Sequence, residues 1–129
     1  MPAFSEVELR EAARAIASTR MKSEKAISKL KEASAQQRLT ARGIAAYTLA
    51  LALIARELEE TPENAVYSKE ELEQALETCA SVCSRVESIL PKFAAGTPQH
   101  TLAVRRVRAF EIASALIQRE ITAEEQQPD

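Results

Sequence analysis

Apolar side chains recur every three or four residues along most of this chain, which is the spacing that places them on one face of an α-helix. The clearest stripe runs from Leu72 to Phe93, and a second follows from Ala103 to Ile121. The composition agrees, because the chain holds only two Gly, no Trp, three Phe and two Tyr. Pattern and composition together predict an all-α protein.

Helix starts are marked by capping residues. Ser5 with Glu8 and Ser68 with Glu71 each form the S-x-x-E pattern of a capping box, and Thr97 precedes Pro98 as an N-cap precedes a first-turn proline. The sequence "TPEN" at 61–64 stops the second helix. We predict helices over residues 5–33, 36–60, 69–91 and 98–122, followed by a polar C-terminal tail, 123–129.

The sequence leaves open whether residues 34–40 form a turn. No Gly or Pro lies between Ala3 and Arg42, and the turn signals are Ser34 with Gln37, a possible capping box, and Thr40, a possible N-cap. With a turn, the chain forms an antiparallel up-down-up-down four-helix bundle. Without one, residues 5–60 form one long helix that dimerises, packed with a helical hairpin.

A chain of 129 residues fits a single helical domain. Its most apolar stretch, Gly43–Ala55, is shorter than the ~20 residues that span a bilayer, and Arg42 and Arg56 close it at both ends. The N-terminal residues lack the apolar run of a signal peptide. We therefore expect a cytoplasmic protein without a membrane partner.

The charges lie in alternating blocks although the net charge is only −2. Residues 10–42 carry nine Lys/Arg against three Glu, and residues 56–77 carry two against eight Glu. Residues 85–108 are again basic and residues 109–129 acidic. Neighbouring helices of one fold can neutralise such blocks, so we expect nucleic acid to be an unlikely partner.

The second helix is apolar almost all round, which predicts that it is covered on more than one side. One face is bulky, with Leu39, Tyr47, Leu53 and Ile54, and the opposite face is small. Small residues let another helix approach closely, so this face suits a helix contact, either inside the bundle or in a homodimer. The fourth helix adds two apolar positions outside its main stripe. The candidate interface consists of Ala41, Ala45, Thr48, Ala52, Ala55, Ile112 and Leu116.

Polar side chains fall on the inward faces of three helices and suggest a ligand pocket. If the first turn lies near residue 38, Arg20 of the first helix faces Glu57 of the second, whereas a turn nearer residue 34 separates them. Tyr47 and Arg106 lie on inward arcs of their own helices. Arg20, Tyr47, Glu57 and Arg106 are therefore the candidate residues for binding a small molecule or an anion.

Cys79 and Cys83 are the only cysteines and lie on one helical face. Zinc needs about four ligands, and the one other soft ligand, His100, falls about 9 Å too far along a hairpin. A disulfide between positions i and i+4 is geometrically poor. The pair is best explained as core packing, with a reactive thiol near Arg106 as the alternative.

The remaining candidates do not define an active site. His100 is alone in the first turn of its helix, and no nucleophile completes a catalytic arrangement with it. Arg105 and Arg108 should face outward. The sequence gives no reason to expect a metal, another cofactor or catalysis. We expect a protein-interaction or self-association module, with a ligand-binding bundle as the alternative and a nucleic-acid-associated regulator as a weaker one.

Overall fold

A computed structural model describes residues 4–60 and 66–126 of the chain. Over these residues the chain forms four α-helices without a strand, and a short 3₁₀ helix, so the protein is an all-α four-helix bundle. The α-helices are α1 (Glu6–Ile27), α2 (Ala35–Glu57), α3 (Lys69–Ile89) and α4 (Pro98–Glu125), and the 3₁₀ helix is Leu90–Lys92.

The capping residues identified in the sequence begin the helices. The hydroxyl groups of Ser5 and Ser68 each accept a hydrogen bond from the backbone N–H three residues on, and the carboxylates of Glu8 and Glu71 accept from the backbone N–H of the cap residue. Thr97 caps α4 through the backbone N–H of His100. These side chains satisfy backbone N–H groups that the first helical turn leaves without partners.

A break between α1 and α2 excludes the single long helix. Helix α1 ends at Ile27, six residues before its predicted end, and Ser34 caps α2 by accepting from the backbone N–H of Gln37. Ala33 turns the chain in the left-handed conformation, φ 62°. Thr40 is not the N-cap, because its hydroxyl donates to the carbonyl oxygen of Gln36 inside the helix.

The other helix ends also differ from prediction. Helix α2 ends at Glu57, and Glu59, with φ 57°, reverses the chain while the Glu60 N–H donates to the Ala55 carbonyl. This is a Schellman closure made without glycine. The predicted stop at 61–64 lies outside the described residues. Helix α4 continues to Glu125, three residues beyond its predicted end, where a Glu125 carboxylate oxygen lies 3.1 Å from Lys69 Nζ.

Side-chain pairs define the directions of the helices. Helix α2 runs antiparallel to α1, because Arg10 meets Glu60 while Arg20 meets Thr48. Helix α4 runs antiparallel to α3 by the same reasoning, since Lys69 pairs with Glu125 and Cys83 approaches Val107. Helix α4 runs parallel to α2, as Tyr47 packs on Phe110 and Glu57 pairs with Arg119. The α1–α2 and α3–α4 connections therefore lie at the same end of the bundle.

Helix α2 is covered by three neighbours. It packs against α1, α3 and α4, while α1 and α3 occupy opposite corners of the bundle. This coverage explains why α2 is apolar almost all round. Among the described helices, α2 alone has a length and composition that would also fit a membrane span, and seven of its residues are buried inside the bundle.

Candidate interaction surface

Charged residues divide the bundle into a basic half and an acidic half. We define the basic half as residues 20–42 and 85–106, where eleven Lys/Arg and three Glu give a net charge of +8. The acidic half consists of residues 4–14, 56–60, 66–77 and 111–126, with five Lys/Arg, fourteen Glu and a net charge of −9. The residues between the halves carry a single charge, Arg108.

This division follows from the helix directions. The basic segments are the C-terminal part of α1, the N-terminal part of α2, the C-terminal part of α3 and the N-terminal part of α4, with their two connections. Antiparallel packing brings all of them to one end. The alternating blocks of the sequence therefore separate into a basic end and an acidic end of the bundle. Neighbouring helices neutralise the charge of each end only in part.

The cations of the basic half have no salt-bridge partners among the described residues. Within residues 4–60 and 66–126, none of the eleven forms a salt bridge. Nine of them are exposed, and Arg20 and Arg106 are half-buried. The set consists of Arg20, Lys22, Lys25, Lys29, Lys31, Arg38, Arg42, Arg85, Lys92, Arg105 and Arg106.

In the acidic half four of the five cations are paired. Arg10 bridges Glu6 and Glu60, and Lys69 pairs with Glu125. Arg56 pairs with Glu120 at 2.8 Å, and Arg119 pairs with Glu57. Of the five Lys/Arg in this half, Arg14 is the one without a salt bridge among the described residues. Ion pairing therefore distinguishes the two halves as clearly as net charge does.

Arg108, between the halves, joins α4 to the start of α1. Its Nη2 lies 2.7 Å from a carboxylate oxygen of Glu8, and its guanidinium lies 5.6 Å from the centroid of the Phe4 ring. The hydrogen bond from Arg108 lowers the pKa of Glu8, because it stabilises the ionised carboxylate. The outward orientation predicted for Arg108 thus places it in an ion pair, whereas Arg105, which lines the same cleft as Glu11, is exposed and forms no ion pair with any described residue.

The basic half also exposes apolar side chains that the core does not take. Met21 is 55% exposed and Leu39 is 58% exposed. Ile89 and Leu102 are 41% and 46% exposed. Leu39 therefore does not belong to the buried part of the bulky face predicted for α2, because none of the described helices covers it.

The four residues of the predicted pocket are not brought together. The first turn closes at Ser34, so Arg20 meets Thr48, with 3.5 Å between Nη1 and Oγ1, and Glu57 pairs with Arg119. Tyr47 is buried against Phe110. Arg106 is half-buried and forms no salt bridge among the described residues. Arg20 and Glu57 are separated because the turn lies at Ser34 and not near residue 38, which is the second of the two positions considered from the sequence.

The cysteines lie in the core and at its edge. Cys79 is fully buried, and burial raises the pKa of its thiol to about 12. Cys83 is half-buried, with Sγ 3.7 Å from the Val107 carbonyl oxygen and 3.9 Å from a Glu87 carboxylate oxygen. Burial, followed by the charges of Glu87 and Glu111, raises the pKa of Cys83. The Cys83 thiol therefore faces carboxylates and not Arg106, and it is not activated.

The predicted interface residues separate into two groups. Ile112 and Leu116 are buried, because α1 packs over this side of α4 and forms a cleft that includes Ala12 and Ile112. They belong to the core, which corrects the expectation of a free apolar patch. On α2, Ala41, Ala45 and Thr48 are exposed, and Ala52 and Ala55 are half-buried.

The exposed part of this row borders a groove between α2 and α3. The groove has a volume of about 330 Å³. Ala45 and Thr48 line it from α2, and Glu71 and Gln74 line it from α3. Tyr67, before α3, closes one side of the groove.

His100 lies in the first turn of α4, where its backbone N–H donates to Thr97. Over the described residues, His, Cys, Asp and Glu side chains form no group of three or more that could hold a metal ion.

Family models, curated proteins and solved structures show no significant match to this chain. Its function is therefore inferred from its own residues, and the basic half is the feature that the sequence alone did not identify as a site.

Proposed function

We propose that this bundle is a binding module that holds a negatively charged macromolecular partner on its basic half. One observation carries the proposal: eleven Lys/Arg side chains lie at one end of the bundle without a single salt bridge among the described residues. Four of the five cations in the acidic half are paired. The contrast leaves a concentrated positive field at one end of a protein whose net charge is −2.

The arrangement supports a large partner better than a small ligand. The cations come from all four helices and both connections of this end, and nine of the eleven are exposed. A single small anion would contact only a few of them. A polymer or an extended surface of negative charge would contact many at once, and at ~0.1 M salt the field still reaches about 10 Å into solvent.

The polarity of the molecule supports a defined binding orientation. An anionic partner attracts the basic half and repels the acidic half, so the molecular dipole turns the basic half toward the partner during approach. Such steering accelerates association and weakens with added salt. The ionised side chains concerned are Lys, Arg and Glu, so the orientation holds across the neutral pH range.

Binding to heparin, used as a soluble polyanion, tests this function. We expect binding in spite of the negative net charge, with affinity falling more than about tenfold between ~50 and ~200 mM NaCl, since the contacts are charge–charge contacts. Fluorescence anisotropy of labelled heparin measures both quantities. The double variant Lys22→Glu/Lys25→Glu should weaken binding by about tenfold or more.

The matched control changes the same net charge in the acidic half. The double variant Arg14→Glu/Lys69→Glu also converts two cations, and its two sites lie away from the basic half. We expect its affinity for heparin to stay within about twofold of the parent protein. Equal losses in the two double variants, or no binding at all, would refute the proposed function.

Self-association through α2 is a second candidate, favoured by the exposure of Ala41, Ala45 and Thr48 beside the α2–α3 groove. A second copy could approach closely along this row, because its side chains are small. Light scattering should then give twice the chain mass of 14.2 kDa. Ala45→Leu should return the mass to that of the monomer, while Ala80→Leu, exposed on α3, should leave the dimer intact. A monomeric parent protein would exclude this candidate.

A further inference from the structure

We infer that the partner of the basic half is the surface of an anionic lipid bilayer. The inference rests on the proposed function and adds the chemical class of the partner. It comes from a second property of the same end: the cations there are interleaved with apolar side chains that lie outside the hydrophobic core. An anionic bilayer offers negative headgroups to the cations and hydrocarbon to the apolar side chains.

The two connections at this end share a common pattern. The α1–α2 connection presents Leu30 between the exposed residues Lys29 and Lys31. The α3–α4 connection presents Phe93 next to the exposed Lys92. Leu30 and Phe93 are partly exposed, and neither packs against the core. Each of these two connections, which we call the basic tips, therefore carries an apolar side chain next to lysine.

The apolar side chains behind the tips extend this surface. Leu39 and Leu102, each the fifth residue of its helix, α2 and α4, are 58% and 46% exposed. Ile89, in the last turn of α3, is 41% exposed. Leaving such side chains in water is unfavourable, and each one that enters the hydrocarbon boundary of a bilayer regains part of that free energy.

Nucleic acid fits this surface less well. Its phosphates would satisfy the cations, but its bases are held by stacking on aromatic side chains, and the basic half has one Phe, Phe93, with no Tyr or Trp. Exposed leucines and isoleucines contribute nothing to phosphate binding. The apolar part of the surface is therefore unexplained by a nucleic-acid partner and explained by a lipid one.

The acidic half of a second copy also fits less well. Seven of its fourteen Glu side chains, among them Glu57, Glu60 and Glu125, already pair with a cation of the same chain. Opening these pairs to bind another copy would exchange one ion pair for another with little net gain. The same half, at −9, would face away from an anionic bilayer and hold the basic tips against it.

The expectation of no membrane partner rested on the shortness of the apolar stretch Gly43–Ala55. That argument concerns spanning, and binding at the surface of a bilayer needs no spanning segment. Several cations near the surface are required, together with modest apolar insertion, and the basic half has both.

Vesicle co-sedimentation of the full chain tests the inference. We expect binding to phosphatidylcholine vesicles that contain about 30% phosphatidylserine, weak binding to pure phosphatidylcholine, and a marked loss of binding at about 300 mM NaCl. Lys29→Glu/Lys31→Glu should lower the partition coefficient by about 600-fold, since each cation near the surface contributes about a factor of five and each of the two reversals counts twice. Arg14→Glu/Lys69→Glu is the matched control and should change it by less than about twofold.

Apolar insertion is tested at constant charge. Leu30→Ser and Phe93→Ser should each lower the partition coefficient by about tenfold, with circular dichroism confirming the helical content of both variants. A partition coefficient unchanged by both variants would overturn the inference, because charge alone would then hold the protein.

Two further outcomes separate this inference from the proposed function. Binding to heparin or to a ~40-nucleotide DNA, without binding to anionic vesicles, would overturn the lipid inference and leave the proposed function standing. Binding to none of the three anionic probes would overturn both.

Discussion

Replacing Phe110 with alanine is expected to lower the free energy of unfolding by about 4 kcal/mol, the largest loss that we expect from a single truncation in this bundle. Phe110 is fully buried in α4 and packs edge to face on Tyr47 of α2, with 5.6 Å between ring centroids. It thus joins the two helices that contact each other across the bundle. Truncation leaves a cavity that the surrounding helices cannot fill completely, and urea denaturation measures the loss.

Phe93→Ala is the matched control for this prediction. Phe93 is partly exposed in the α3–α4 connection and lies outside the core, so we expect its truncation to cost less than about 1 kcal/mol. Comparable losses at the two positions would contradict the assignment of Phe110 to the core and Phe93 to the basic tip. The pair therefore also checks that Phe93 is available for contact with a partner.

The stability of the protein is expected to fall above about pH 9 because of Cys79. Its folded pKa is about 12, whereas an unfolded cysteine ionises near 8.5. Between these values the unfolded state has lost the thiol proton and the native state keeps it, so unfolding releases a proton. A rise in pH therefore favours unfolding by about 1.4 kcal/mol per unit in this window, or about 5 kcal/mol over the whole of it.

Comparison with Cys79→Ala isolates this contribution from other groups that ionise in alkali. The variant should start less stable, because it lacks a buried side chain, but its stability should fall less steeply by about 1.4 kcal/mol per pH unit. Urea denaturation at several values between about pH 8.5 and 10.5 measures the slopes. Cys83→Ala, at a half-buried position, should change the slope less. Parallel slopes for Cys79→Ala and the parent protein would contradict the burial of this thiol.

Local signals in the sequence located the helix starts well. Ser5, Ser68 and Thr97 were identified from the residues that follow them, and each caps its helix in the structure. These signals work because a cap is made by residues three positions apart, so its energetics are contained in a short segment. Ser34 was also among the candidates for the least certain turn and proved to be the cap of α2.

Helix ends were predicted less well, for a physical reason. Ala33 and Glu59 turn the chain in the left-handed conformation, which glycine usually adopts. Neither alanine nor glutamate is a residue type from which this conformation could be predicted. The turn exists because tertiary packing of the flanking helices outweighs the local cost of roughly 1 to 2 kcal/mol. The early turn at Ser34 then decided that Arg20 meets Thr48, and so removed the proposed pairing with Glu57.

The sequence also determined the helical periodicity, the core role of Cys79 and the charge blocks, because these depend on spacing and composition alone. Only the tertiary structure decided which blocks share an end and which charges find partners. Charges separated by tens of residues interact over a few ångströms, so their pairing depends on helix direction and register. For the same reason, Ile112 became core and Leu39 became surface, since burial is set by the neighbour that packs over a face.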